Sequence, residues 1–111
     1  MLGNLELAAV PALLPTGPPG VEIRLGGLVI GELDLRICHG CRVAVLEYIR
    51  IDPRCRRRGL ATLAIEFLRS TWQDYRWSTA PIERSTEALG FWRSLDWTGP
   101  LGEPDECQHL R

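Results

Sequence analysis

The spacing of apolar and polar positions changes period along the chain, and each change marks an element. Val21, Ile23 and Leu25 alternate with Glu22 and Arg24, the period-two pattern of a half-buried strand. Gly26-Gly27 follows as a hairpin turn. Leu28 to Ile37 reads as a second strand with Ile30 or Leu33, Leu35 and Ile37 facing inward, and Gly31 is a place for a bulge. A third strand runs from Arg42 to Asp52, rich in Val43, Val45, Ile49 and Ile51. It ends at Asp52-Pro53, because proline donates no ladder hydrogen bond and restrains the residue before it. Gly59 then opens a helix in which Leu60, Leu63, Ala64, Phe67 and Leu68 recur at one face. Trp77-Ser78-Thr79 is a short strand, and the strand-helix-strand unit is expected to cross over right-handed to a parallel neighbour. Ser85-Thr86-Glu87-Ala88 starts a second helix that reaches about Ser94 or Leu95. Its apolar face is Ala88, Phe91, Trp92 and Leu95, and Gly90 weakens it.

The two ends carry weaker patterns. Leu5 to Leu14 is apolar and suits a short helix or strand interrupted at Pro11, and Pro15 to Gly20 reads as a linker. Residues 1–20 are therefore expected to form an N-terminal arm and residues 21–111 the domain. The tail from Thr98 holds Gly99-Pro100 and Pro104, with room for one short strand and a frayed end. The whole reads as an α/β fold with a mixed (α+β) sheet: an antiparallel three-strand meander whose last strand leads a β-α-β-α run.

Composition narrows this picture. The chain of 111 residues suits one domain with one modest core. No apolar run approaches the ~20 residues of a membrane helix, and the N-terminus lacks the basic start of a secretory signal. A cytoplasmic location is the expectation. Net charge is −1, so no global field favours nucleic acid or an anionic membrane. The basic charge is local, at Arg54, Arg56, Arg57 and Arg58. Such a run suits a solvated patch or loose nucleic-acid contact. Its place between a strand and a helix favours a phosphate site, where free N–H groups and the helix dipole point at an anion.

Four cysteines occur, at Cys38, Cys41, Cys55 and Cys107. Cys38-His39-Gly40-Cys41 is formally a CxxC, and a metal or redox reading would add Cys107 and His109. The plainer reading, and the expected one, is a hairpin tip with His39-Gly40 as a two-residue turn, the two cysteines as its closing pair, and no metal. A disulfide there needs a narrow range of Cβ positions.

The arginine turn is neither a Walker A loop nor a GxGxxG fingerprint. Arg56-Arg57-Arg58-Gly59-Leu60-Ala61 resembles the Q/R-x-x-G-x-G/A signature of the GCN5-related N-acetyltransferase (GNAT) superfamily, and Ile51-Asp52-Pro53 resembles the V-x-P that leads into it. Downstream, Ala88 to Trp97 is similar to the family's A-x-x-F-Y-x-x-x-G-F, with tryptophan at both later aromatic positions. The resemblance spans roughly residues 21–97; the family's first strand and two N-terminal helices are not recognisable in the first 20 residues.

The resemblance implies an N-acetyltransferase that moves an acetyl group from acetyl-CoA to an amine acceptor, small molecule or protein. It implies pantetheine against the main chain of Ile49 and Ile51, and pyrophosphate against Arg56, Arg57, Arg58, Gly59, Leu60 and Ala61. Trp92 falls where the family has a tyrosine that protonates the CoA thiolate. Indole cannot do so, which leaves Ser94, Tyr48, Tyr75 or water for that step and packing against CoA or in the core for Trp92. Ser85 stands at the family's helix-start asparagine. Glu47 lies where several members carry a proton-accepting acid, and it is the only acid between Asp34 and Asp52. Its alternative role is an outward strand residue paired with Arg36 or Arg42. The acceptor side would be open, completed by a partner chain such as a second copy, or meant for a protein tail. Two other readings stand beside the enzyme: a GNAT-fold module that holds CoA or acyl-CoA without efficient turnover, and an interaction domain whose arginine turn contacts nucleic acid or protein.

Overall fold

The computed structural model describes residues 5–10, 20–56, 58–95 and 97–110. Five strands form one sheet in the order β1-β2-β3-β4-β5: β1 Leu5–Val10, β2 Gly20–Leu25, β3 Leu28–Cys38, β4 Val43–Ile51 and β5 Arg76–Thr79. The helices are α1 Leu60–Thr71 and α2 Thr86–Ser94. β1 to β4 run antiparallel as a meander, and β5 returns parallel to β4 after α1. The expected mixed sheet and element order are thus present.

The stretch expected as an arm contributes a strand. Leu5–Val10 pairs along all of β2, from Leu5 opposite Leu25 to Val10 opposite Gly20, and Leu5 and Leu7 pack on the core. The linker expected at Pro15 to Gly20 lies outside the described residues except for Gly20, which opens β2. The β2–β3 turn is as expected: Gly26 and Gly27 both have positive φ, 59° and 83°, the pair of values a type I′ hairpin requires.

Two bulges set which residues face the core. The β2–β3 register shifts at Ile23/Arg24, leaving Ile30 as the extra residue beside Gly31. Ile30 and Leu33, three apart, are therefore both buried, and the alternatives Ile30 or Leu33 resolve to both. The second shift lies between Asp34 and Leu35: Leu35 faces Leu46 and Asp34 faces Tyr48, so Glu47 is the extra residue. Leu46 and Ile49 consequently share the core-facing side.

One buried cluster joins this face to both helices through Val21, Leu33, Leu35 and Leu46 with Leu60, Ala64, Ile65, Leu68 and Trp92. The α1 face is rotated from the expected one: Ile65 is fully buried, whereas Leu63 is exposed. Positions 60, 64, 65 and 68 define the buried stripe, and Leu63 lies beyond its edge. Ser85 caps α2, its Oγ accepting from the Ala88 N–H at 3.1 Å.

The β3–β4 hairpin differs from the expected tight turn. Cys38 pairs with Val43, so the loop has four residues, His39 to Arg42, and Arg42 takes a left-handed φ of 55°. The longer loop takes Cys41 out of the strand register. The tail also differs. No strand is assigned to it among the described residues, yet it lies along β5 and is held nearly to its end. The Thr79 N–H donates to the Pro100 carbonyl (3.2 Å), the Gly102 N–H to Thr79 Oγ1 (2.7 Å) and the Asp105 N–H to Ser78 Oγ (2.8 Å). These bonds satisfy the buried hydroxyls of Ser78 and Thr79 and cover the outer edge of the sheet.

Gly99 is the tightest point of that docking, because a Cβ there would stand 1.7 Å from the Trp77 carbonyl oxygen. Gly90, inside α2, would meet nothing within 4 Å. Gly99→Ala is expected to lower stability by about 1–3 kcal/mol or more, the cost of overpacking. Gly90→Ala should raise it by about 0.5–1 kcal/mol through helix propensity. Denaturant unfolding of the two variants checks this, and equal effects would contradict the docked tail.

Candidate active site

The site begins where β4 and β5 part. Their parallel pairing runs from Val43 opposite Arg76 to Leu46 opposite Thr79, and the Ala80 N–H closes it on the Leu46 carbonyl at 2.9 Å. β4 continues to Ile51 against β3, so Glu47 to Ile51 have left β5. The departure coincides with the bulge at Glu47, which bends the strand and increases its twist. A strand edge released in this way presents alternating N–H and C=O groups that an extended ligand can pair with. A cavity of about 360 Å³ fills the gap, lined by Glu47, Tyr48 and Ile49 on β4, the Thr79–Glu83 segment, and Ala88, Phe91 and Trp92 on α2.

The strand feeds into a compact turn. Asp52 Oδ1 accepts from the Arg54 N–H at 2.9 Å and caps a single 3₁₀ turn over Pro53–Cys55. The Asp52 carboxylate also holds the Arg54 guanidinium, at 3.3 and 3.2 Å. Hydrogen bonding by the Arg54 side chain, then by its backbone, keeps the Asp52 carboxyl below its ordinary range. Arg56 Nε donates to the Ile51 carbonyl at 3.2 Å. Gly59 has a left-handed φ of 74° and precedes α1 with no side-chain cap. A helix start leaves its first-turn N–H groups without intrahelical acceptors, and the dipole makes that end positive. A second cavity, about 330 Å³, opens there between Ile51, Cys55, Arg56, the first turn of α1 and Phe91. Phe91 lines both cavities, which lie in succession beside β4, the second at the N-terminus of α1; together they are the candidate groove.

The sequence-predicted residues divide as follows. Glu47, Ile49 and Trp92 line the first cavity; Ile51, Arg56, Gly59, Leu60 and Ala61 line the second. Arg58 is exposed and lines neither, and Arg57 lies outside the described residues. Trp92 is buried in the core as well as lining the groove, with Phe91 and Trp97 edge-on to it at ring-centroid distances of 5.4 and 5.3 Å. Of the three protein groups considered for protonating a thiolate, Tyr48 lines the cavity. The Ser94 hydroxyl donates to the Phe91 carbonyl at 2.6 Å, and Tyr75 OH bonds His39 Nδ1 at 2.6 Å by the hairpin loop. Phe91, Thr62, Cys55 and the Thr79–Glu83 segment were not selected from sequence. Phe91 had a signal, its place in the A-x-x-F motif; the loop of Ala80 to Glu83 had none, since it carries no periodicity.

Glu47 makes the ion pair that its alternative role required. Arg36 Nε bonds Glu47 Oε1, and Arg36 Nη1 reaches Glu106 Oε2 (3.1 Å) and the Leu110 carbonyl (2.9 Å). The hydrogen bond that Arg36 donates to Glu106, with the one it donates to Glu47, raises the guanidinium above its ordinary range against the opposing effect of burial. Glu47 thus pairs with Arg36 and lines the groove at the same time.

A larger cavity, about 620 Å³, lies between the C-terminal half of α1, Tyr75–Trp77 and the tail. It has neither a released strand edge nor a helix N-terminus, so size alone does not make it the site. Among the described residues no helix is long and apolar enough to cross a membrane.

No protein-family model and no curated protein matches the sequence. Solved structures do match. A candidate acetyltransferase from Deinococcus radiodurans R1 aligns with a TM-score of 0.67 at 14% identity, over 100% of this chain and 90% of that one. A GNAT-family acetyltransferase from Streptococcus pneumoniae TIGR4 aligns with a TM-score of 0.60 at 20% identity, over 79% and 72% of the two chains. The aminoglycoside N-acetyltransferase AAC(6')-Iy in complex with CoA gives 0.60 at 21% identity, over 85% and 75%. Agreement in shape at so low an identity speaks for architecture, and the chain has the fold of the GCN5-related N-acetyltransferases.

Proposed function

We propose that this chain is an acetyl-CoA-dependent N-acetyltransferase acting on an amine, with acetyl-CoA seated in the groove along β4. The observation that carries the reading is the released β4 edge running directly into the uncapped N-terminus of α1. The edge suits the amides of pantetheine, with the main chain of Ile49 and Ile51 as partners. The turn at Arg56 to Ala61 suits the pyrophosphate, with Arg58 adding charge from beside it. A Cβ on Gly59 would meet nothing within 4 Å beyond its chain neighbours, so no other segment blocks an approach to the turn. Three of the structural neighbours, the AAC(6')-Iy complexes, hold CoA or a CoA bisubstrate analogue, which supports the same class of ligand.

In the reaction, Glu47 takes a proton from the acceptor ammonium, directly or through one water. The neutral nitrogen attacks the thioester carbonyl carbon, the C–N bond forms, the C–S bond breaks and the thiolate takes up a proton. Tyr48, which is among the residues lining the cavity, is the protein group we propose for it, with water as the other source. Glu47 and Glu83 give the cavity a negative lining that attracts a cationic amine.

Two observations favour a second reading, a CoA-binding module with little turnover. The Glu47 carboxylate is already engaged by Arg36, and the family's tyrosine position is a buried tryptophan. Acetyl-CoA that binds while a broad amine panel releases no CoA would select it.

The left-handed φ at Gly59 makes Gly59→Asn the sharper probe than Gly59→Val, since asparagine tolerates that conformation and a β-branched residue does not. Gly59→Asn should stay folded and weaken acetyl-CoA binding about tenfold or more by calorimetry. Unchanged affinity in the folded variant rejects the turn as the phosphate site.

Glu47→Gln keeps shape and the bond to Arg36 but cannot accept a proton. It should retain acetyl-CoA affinity and lose roughly 10²–10⁴ in turnover, the usual worth of a positioned base. The deficit should shrink as pH rises and more acceptor is already neutral. Trp92→Phe should cost far less. A pH-independent deficit, or none with a working acceptor, makes Glu47 a structural partner of Arg36.

A further inference from the structure

The four-residue β3–β4 loop brings Cys38 and Cys41 against two residues of the C-terminal tail. The thiols of Cys38, Cys41 and Cys107 and one ring nitrogen of His109 all lie within 4.8 Å of one another. His109 Nδ1 stands 3.7 Å from Cys38 Sγ, 3.3 Å from Cys41 Sγ and 3.9 Å from Cys107 Sγ. Zinc ligated at ~2.3 Å by sulfur and ~2.0–2.1 Å by nitrogen gives a tetrahedron with S···N edges of about 3.6 Å. The three observed distances bracket that edge. A disulfide would pair two of the thiols and leave the third and the imidazole without a purpose. The fourth cysteine, Cys55, is elsewhere, packed on the core.

We propose that Cys38, Cys41, Cys107 and His109 bind one structural Zn²⁺ that clamps the tail to the β3–β4 hairpin. Three thiolates and one imidazole complete a four-coordinate shell with no position open for substrate, the pattern of structural rather than catalytic zinc. The clamp has a definite reach. Glu106 and Leu110, which flank the tail ligands in sequence, are the residues that hold Arg36, and Arg36 holds Glu47. The ion therefore fixes the tail segment behind the bulge. The proposal does not depend on acetyl-CoA binding, and its test uses none.

The full chain, purified under reductant and reconstituted with Zn²⁺, is measured for metal content by mass spectrometry and for thiol protection by alkylation. Expected are one tightly held zinc per chain, Cys55 alkylated, and Cys38, Cys41 and Cys107 protected. Co²⁺ in place of zinc should show thiolate-to-cobalt charge-transfer bands and tetrahedral d–d bands. Cys107→Ser should hold zinc at least about tenfold more weakly, and a chelator should lower the melting temperature of the wild type by more than that of this variant. Cys55→Ser should keep its zinc. Should Cys107→Ser fail to fold, the wild-type metal content and cobalt spectrum decide alone. Absence of stoichiometric metal in the reconstituted wild type overturns the proposal, as does a Cys38–Cys41 disulfide that persists under reductant.

Discussion

The bulge at Glu47 is the constraint on which the rest of the site depends. Side chains along a strand alternate sides, so a regular β4 would put Tyr48 and Arg50 on the face of Leu46. One extra residue reverses the phase. Ile49 and Ile51 then continue the apolar face toward α1, while Tyr48 and Arg50 join the polar one. The same insertion turns the strand away from β5 at the point where pairing ends. Core continuity, the released edge and the placement of an acid at the groove thus follow from one residue in excess.

The opposite face of the sheet shows what remains when the core has taken its share. Glu22 stands directly across from Glu32, an unfavourable pairing by itself. Each is matched by an arginine, Arg24 on Glu22 at 2.5 Å and Arg50 on Glu32 at 2.6 Å, and Arg24 also reaches Glu6 on β1. Partly exposed pairs of this kind contribute about 0–1 kcal/mol each. Their effect is on register more than on stability, because a one-residue slip would move every charge onto the apolar side.

Much of this was legible in the sequence because it rests on local patterns. The alternation at Val21–Leu25, the paired glycines, the Asp52-Pro53 stop and the serine before α2 each act within a few residues, and each is where the pattern placed it. In the candidate groove, Gly59 to Ala61 and Trp92 are positions that the resemblance points to, and Phe91 belongs to the same motif as Trp92 without having been selected. What escaped depends on distant partners. Val45-Leu46-Glu47-Tyr48-Ile49 contains no glycine to mark a bulge; the shift is imposed by matching Leu35 to Leu46 and Leu33 to Ile49 at once. The tail has no periodicity because it docks through backbone N–H groups on Ser78 and Thr79, which impose no side-chain pattern of their own. Leu63 and Ile65 flank the Leu60–Ala64–Leu68 stripe on opposite edges, and helical spacing alone does not say which of them is buried.

The tail and the groove meet at Arg36, and that junction separates binding from chemistry. The contacts proposed for acetyl-CoA are main-chain groups of β4 and of the first turn of α1, fixed by the sheet and the helix themselves. The Glu47 carboxylate is oriented from the other side, by a guanidinium whose remaining contacts belong to the tail. A change that loosens the tail would therefore leave the groove formed while freeing the acid from its partner. In the proposed reaction, ligand affinity and proton transfer would then depend on different parts of this chain, the first on local backbone geometry and the second on a contact spanning seventy residues from Arg36 to Glu106.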